Sequence, residues 1–132
     1  MKKIALFLVV LISVVESYSQ TKEPMKEFDS NFAHTVYFWL KHPESEQDKT
    51  SFVTSLKKFL NTSKYAKTNF IGYPPKASRD VVDGSFTFSL IVTFESAAAQ
   101  ESYQKEEAHL LFIEESNSLW SKVIVYDSVL VP

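Results

Sequence analysis

FAHTVYFWL (Phe32–Leu40) and SFTFSLIVTF (residues 85–94) are the two stretches that decide the fold. The first is rich in β-branched and aromatic residues and is apolar on both faces, which predicts a strand covered on both sides. The second alternates at period two, which predicts a strand with one buried face. The apolar side chains of that face are Phe86, Phe88, Leu90, Val92 and Phe94.

Helical segments and two further strands surround these stretches. Apolar residues at helical spacing predict a helix over residues 44–61, with a buried stripe of Phe52, Leu56, Phe59 and Leu60. The sequence predicts the second strand over residues 65–73 and the last strand over residues 123–129. Residues 96–120 predict a helical region that breaks near Glu106, where charged residues interrupt the apolar stripe. The resulting order is the ferredoxin-like β-α-β-β-α-β plan of the α+β class, a four-stranded antiparallel sheet with helices on one face.

The other face of this sheet also needs a cover. Because the first strand is apolar on both faces, we expect the cover to be the same sheet of a second copy. The sequence therefore predicts a homodimer that closes a dimeric α/β barrel through its sheet faces. A stable monomer at micromolar concentration would contradict this prediction.

The N-terminal residues have the composition of a secretory signal. Lys2 and Lys3 form a positive region, and residues 4–15 form an apolar run broken only by a serine. That run is shorter than the roughly 20 residues that a membrane-spanning helix needs. Ser17 and Ser19 are small residues at the spacing that a signal peptidase requires.

The sequence thus predicts three parts: a signal peptide over residues 1–19, a linker over 20–30 and one domain over 31–132. We expect the mature protein to be exported, to the periplasm or outside the cell, and to have no contact with the membrane after cleavage. An uncleaved N-terminal anchor is the alternative interpretation of the same segment.

Composition excludes several classes of function. The 132 residues are 45% hydrophobic and 14% aromatic, enough for a globular core. A net charge of −2 without a basic cluster argues against nucleic acid as a partner. Without cysteine the chain has no disulfide and no thiolate nucleophile or metal ligand. Its three histidines form no close-spaced pair, so we expect no metal site and no cofactor.

Four pieces of the sequence, in their order and spacing, resemble the stress-responsive A/B barrel domain (Dabb) family. They are FAHTVYFWLK, IGYPP with RDVVDGSF and VTFES, QESYQKEEAHLLFIE, and LWSKVIVYDS. The resemblance covers residues 32–128 and implies small subunits that pair through their sheets into a barrel. Most members of the family have no assigned reaction. One branch, a plant polyketide cyclase, performs an intramolecular aldol cyclisation without metal or organic cofactor.

The resemblance also implies where a site would be, in a pocket between the sheet and the helices. His109 and Tyr103 match a His and a Tyr of the cyclase, and His34 matches a His of its first strand. Phe88 and Glu106 stand where the cyclase has two further histidines, which is a departure from its pattern. Candidate catalytic residues are therefore His109 and Tyr103. Candidate substrate-binding residues are His34, Phe88 and Trp120.

These residues leave two hypotheses open. In the first, the protein is a homodimeric barrel that binds a small apolar or aromatic ligand, and His109, Tyr103 and His34 are core or interface residues. In the second, it is a cofactor-independent acid–base enzyme of the cyclase or lyase type, with His109 as the base and the Tyr103 hydroxyl holding a substrate oxygen. The second requires both groups to open into one enclosed cavity. Export favours the first, because polyketide cyclases work beside an intracellular synthase.

Overall fold

The computed structural model describes residues 30–77 and 79–132. In this part the chain forms β1 Phe32–Leu40, α1 Glu46–Thr62, β2 Thr68–Gly72, β3 Phe88–Phe94, α2 Ala97–Gln104, α3 Glu107–Ser116 and β4 Trp120–Val129. The predicted signal peptide and residues 20–29 of the predicted linker lie outside the described residues. No helix of the described part is long and apolar enough to cross a membrane.

The four strands form one antiparallel sheet in the order β2-β3-β1-β4. β1 lies inside the sheet, between β3 and β4, as its strong apolar pattern predicts. In this register His34 lies opposite Val92 of β3 and opposite Asp127 of β4. The predicted ferredoxin-like α+β fold is confirmed, and the second helical region is divided into α2 and α3 at the predicted break.

Helix α1 supplies the predicted buried stripe. It begins two residues later than predicted because Ser45 caps it, and the Ser45 hydroxyl accepts a hydrogen bond from the Asp48 N–H at 3.2 Å. Below the cap, the stripe residues are almost fully buried: Phe52, Leu56, Phe59 and Leu60. They pack with alternate residues of β1 and β3, so the core lies between the helices and one face of the sheet.

Polar contacts tie α1 to α3 beside this core. Lys58 Nζ donates to Glu115 Oε1 at 2.7 Å, and the Ser55 hydroxyl donates to Glu115 Oε2 at 2.6 Å. The Lys58 hydrogen bond and then the Ser55 hydrogen bond hold the pKa of Glu115 below its ordinary value. The two helices are thus fixed relative to each other, and α3 is positioned over the sheet.

The start of β3 differs from the prediction. The strand begins at Phe88, and Phe86 precedes it with its ring against Tyr37, at 4.9 Å between centroids. The Ser85 N–H donates to Asp83 Oδ1 at 2.8 Å, and this local turn keeps residues 85–87 out of the strand's alternation. The prediction that Phe86 shares the buried face with Phe88 is therefore wrong.

The end of the helical region also differs. Helix α3 ends at Ser116 and Trp120 begins β4, where it pairs with Leu40 of β1. The Leu119 N–H donates to the Ser116 carbonyl at 2.9 Å, which closes a turn before the strand. Trp120 was predicted to end a helix, and apolar helical spacing does not distinguish a helix end from a short turn entering an apolar strand.

The sheet face opposite the helices is open in the single chain. The loop after β2 adds a wall to one end of it and forms a concavity of about 650 Å³. Lys122 Nζ lies 4.3 Å from the ring centroid of Trp39 there. The aromatic side chains that line the concavity are Tyr37, Trp39, Phe70, Tyr73, Phe86 and Tyr126. The structure contains one chain, so the homodimer stays a prediction. The aromatic concavity is the surface through which the two copies would pair.

Candidate functional site

The structure brings three of the five predicted site residues together. The ring centroids of Tyr103 and His109 are 5.3 Å apart, and those of His34 and Tyr103 are 6.0 Å apart. Phe59 and Phe94 pack on the Tyr103 ring at 5.0 Å and 4.8 Å. We call His34, Tyr103 and His109 the histidine–tyrosine cluster. It lies between the sheet and the helices.

The joint between α2 and α3 makes this convergence possible. Tyr103 lies in the last turn of α2 and His109 in the first turn of α3, and a straight helix would place them on different faces. Glu106, at the joint, accepts hydrogen bonds through Oε1 from the Lys64 N–H at 2.7 Å and the Ser63 hydroxyl at 3.3 Å. The joint is therefore anchored to the segment that follows α1.

Phe88 and Trp120 lie elsewhere in the core. The Phe88 ring stacks on Phe52 at 5.4 Å, and the Trp120 ring meets Phe52 edge-on at 6.0 Å. Trp120 also packs on Phe38 and Phe112, at 5.4 Å and 5.7 Å. Both side chains thus form part of the hydrophobic core. The structure does not place them in the histidine–tyrosine cluster.

His34 has a partner that the sequence interpretation missed. Its Nδ1 lies 2.6 Å from Asp127 Oδ1, across the β1–β4 pair. A carboxylate only accepts, so His34 Nδ1–H donates to it. Asp127 interrupts the apolar strand VIVYDSV, but only the strand register reveals that it lies opposite His34.

Burial governs the chemistry of Tyr103 and His109. Tyr103 is 1% exposed, and its burial, with a smaller effect of the Glu106 charge, raises the pKa of its hydroxyl above the ordinary value. Burial and then the charge of His34 lower the pKa of His109, while Glu106 and the Gln104 carbonyl oppose that shift. Near neutral pH the Tyr103 phenol and the His109 imidazole are therefore both neutral.

Three polar atoms around the cluster are buried without a hydrogen-bond partner in the described part of the chain. They are Gln100 Nε2, Glu106 Oε2 and His109 Nδ1. Gln100 precedes Tyr103 by three residues on α2, so both lie on one side of that helix, and the sequence interpretation did not single it out. An unsatisfied buried polar atom costs about 1–3 kcal/mol, so a bound group that pairs with these atoms would be favoured.

A cleft leads from solvent to the joint. Its volume is about 490 Å³, and Glu106 and Ala108 form part of its wall. The remaining wall comes from the end of α1 and the residues after it, from α2 and the residue after it, and from the start of α3: Thr62, Lys64, Tyr65, Ser102, Lys105 and Glu107. Within residues 30–77 and 79–132, no three His, Asp or Glu side chains are grouped closely enough to hold a metal ion. Neither Tyr103 nor His109 lines this cleft, and Tyr103 is 1% exposed, so the cleft reaches the joint at Glu106 but does not open onto the histidine–tyrosine cluster.

The sequence and the fold of this chain are similar to those of known proteins. The family model of the stress responsive A/B barrel domain (Dabb) matches residues 32–130. No curated protein matches the chain. The family match covers all seven elements and every residue of the histidine–tyrosine cluster.

Solved structures share the fold at low sequence identity. A Dabb family protein with a ferredoxin-like fold from Mesorhizobium loti has 21% identity and a TM-score of 0.65, over 78% of this chain and 99% of that one. The hydroxynitrile lyase from Passiflora edulis has 20% identity and a TM-score of 0.66, over 77% and 94%. A dimeric ferredoxin-like protein of unknown function from Thermobifida fusca has 14% identity and a TM-score of 0.61, over 76% and 92%.

Proposed function

Because the chain belongs to the stress-responsive A/B barrel domain (Dabb) family, we propose that it is an exported, homodimeric barrel protein that binds a small molecule at the histidine–tyrosine cluster. The observation that carries the proposal is the set of three buried polar atoms without partners, Gln100 Nε2, Glu106 Oε2 and His109 Nδ1. Native interiors pair almost all such atoms, so three in one region indicate a missing binding partner. The cleft has Glu106 in its wall and would bring that partner from solvent as far as the joint between α2 and α3.

The ligand would be small and partly aromatic. The rings of Phe59, Phe94 and Tyr103 pack together at the cluster and are at most 2% exposed, so a ligand would have to part them to use them as an apolar wall. Ligand sites of this kind combine apolar walls with a few placed polar groups that fix orientation. Phe88 and Trp120 support the site through the core and not by contact with the ligand.

Two further parts of the proposal rest on the sequence and the open face. The apolar run at residues 4–15 behind two lysines supports export. The aromatic concavity on the sheet face supports the homodimer, since an exposed apolar patch of this kind is typical of an interaction surface. We expect size-exclusion chromatography with light scattering to give a dimer at micromolar concentration, and a stable monomer would remove the dimer from the proposal.

A second candidate function is acid–base catalysis at the same cluster. The lowered pKa of His109 keeps a neutral base next to the Tyr103 ring, at 5.3 Å between ring centroids, and a hydroxynitrile lyase shares the fold. In such a reaction His109 would take the hydroxyl proton of a hydroxynitrile while the carbon–carbon bond to the nitrile breaks. Cyanide would leave with the bonding electrons and receive the proton, and a carbonyl would form.

The test compares wild type with His109→Ala in two measurements. We expect benzaldehyde and benzyl alcohol to raise the Tm of wild type by a few degrees and to leave the Tm of His109→Ala unchanged, because ligand binding stabilises only the state that binds. Release of cyanide from mandelonitrile by wild type alone would favour catalysis. His42→Ala serves as the control, because His42 lies outside the cluster and its side chain is 66% exposed. An equal Tm response in both proteins would remove His109 from the site.

A further inference from the structure

The two carboxylate oxygens of Glu106 differ: one accepts hydrogen bonds from the chain, and the other has no hydrogen-bond partner in the described part of the chain. Oε1 accepts from the Lys64 N–H at 2.7 Å and from the Ser63 hydroxyl at 3.3 Å. These two donors fix the orientation of the whole carboxylate. Oε2 is buried and has no hydrogen-bond partner in the described part of the chain. Oε2 is therefore an acceptor with a fixed direction and no donor, covered by other side chains at the wall of the cleft.

The position of this oxygen determines what it can bind. Glu106 forms part of the cleft wall and is close enough to Tyr103 and His109 to affect the pKa of both. A buried carboxylate with a bare oxygen is stabilised by a hydrogen-bond donor and most strongly by a cationic one. A second anion brought beside it would be repelled in a region of reduced dielectric constant.

The other charged residues at the cleft are less able to discriminate between cationic and anionic ligands. Lys64 and Lys105 border it, but both are exposed, so water and salt screen their charge. Glu107 at the border is exposed as well. Gln100 does not line the cleft; it is 6% exposed, and its unpaired Nε2 is a neutral donor. Among the residues that line the cleft, Glu106 is therefore the charged one with a buried polar atom.

We propose that Glu106 makes this site selective for small aromatic molecules that carry a protonated amine, and makes it reject carboxylates of the same size. The inference rests on the proposed function, because it names the ligand class of the same site. The ammonium group would displace the side chains that cover Oε2 and donate to it from the cleft, and the aromatic ring would pack toward the cluster. A hydroxyl in the same place would donate one hydrogen bond without the charge and would bind more weakly.

Isothermal titration calorimetry of the mature chain with benzylamine, benzyl alcohol and benzoate at pH 7 tests the inference. We expect wild type to bind benzylamine at least about tenfold more tightly than benzoate, with benzyl alcohol between them, as a charge-assisted hydrogen bond requires. Glu106→Gln keeps an acceptor for the Lys64 N–H and removes the charge, so the preference for benzylamine should fall to about twofold or less. Glu101→Gln removes an equal charge from an exposed position outside the cleft and should leave the preference unchanged.

The outcomes separate the two proposals. Binding of benzoate by wild type as tightly as benzylamine would overturn the selectivity while small-molecule binding stands. The same holds if Glu106→Gln keeps the full preference. Failure of wild type to bind any of the three probes would overturn the selectivity and would count against the proposed function as well. The comparison among probes in wild type decides the question even if Glu106→Gln folds poorly.

Discussion

Replacement of Phe52 by alanine is expected to lower the free energy of unfolding by about 3–5 kcal/mol, the range for removing a fully buried aromatic side chain. Phe52 is 0% exposed and contacts four other aromatic rings. Its ring is 4.9 Å from Phe38, 5.4 Å from Phe88, 5.9 Å from Phe112 and 6.0 Å from Trp120. Alanine would leave a cavity between α1, α3 and the sheet, and the rings around it cannot all move to fill it.

Equilibrium denaturation in urea measures this loss. Leu110→Ala is the matched control, since Leu110 is 58% exposed on α3 and its truncation should cost less than about 1 kcal/mol. The midpoint for Phe52→Ala should fall without a change in slope if the fold is retained. A loss similar to that of the control would mean that Phe52 is not the centre of the core.

The core was largely predictable because it depends on spacing within single elements. The apolar stripe that includes Phe52 follows from helical periodicity, and the burial of His34 follows from alternation along β1. The break near Glu106 was predictable too, because charged residues interrupt an apolar stripe there. Each of these predictions uses residues close together in sequence. Each needs no knowledge of the tertiary partner.

Contacts between distant elements were not predictable in this way. Asp127 is 93 residues from His34, and its role depends on the β1–β4 register. Gln100 and the bare oxygen of Glu106 are notable only because packing buries them without partners. Apolar spacing predicts that Trp120 ends a helix, whereas the turn at Ser116 directs it into β4, where its ring packs on Phe52. The site thus depends on long-range packing more than the fold does.

Asp127 provides the second large effect that we expect. Asp127→Ala removes the acceptor of His34 Nδ1, which lies 2.6 Å away, and His34 is 6% exposed. An unpaired buried donor costs about 1–3 kcal/mol, and the lower half of that range applies because Asp127 itself is 41% exposed and water can replace part of its hydrogen bond. Asp127→Asn keeps an accepting oxygen at the same position and should recover most of the stability.

We expect Asp127 to orient the His34 imidazole as well as to stabilise the fold, and NMR of the imidazole nitrogens separates these two roles. In wild type we expect His34 to hold its proton on Nδ1, because that nitrogen donates to the carboxylate. Asp127→Ala should give a mixture of tautomers, and Asp127→Asn, whose amide oxygen still accepts, should restore the Nδ1–H form. If the Nδ1–H form persists in Asp127→Ala, another group orients His34. Asp127 lies on the edge strand β4, outside the histidine–tyrosine cluster. Since His34 packs on Tyr103, loss of the fixed Nδ1–H form of His34 in Asp127→Ala should nevertheless weaken ligand binding at the cluster.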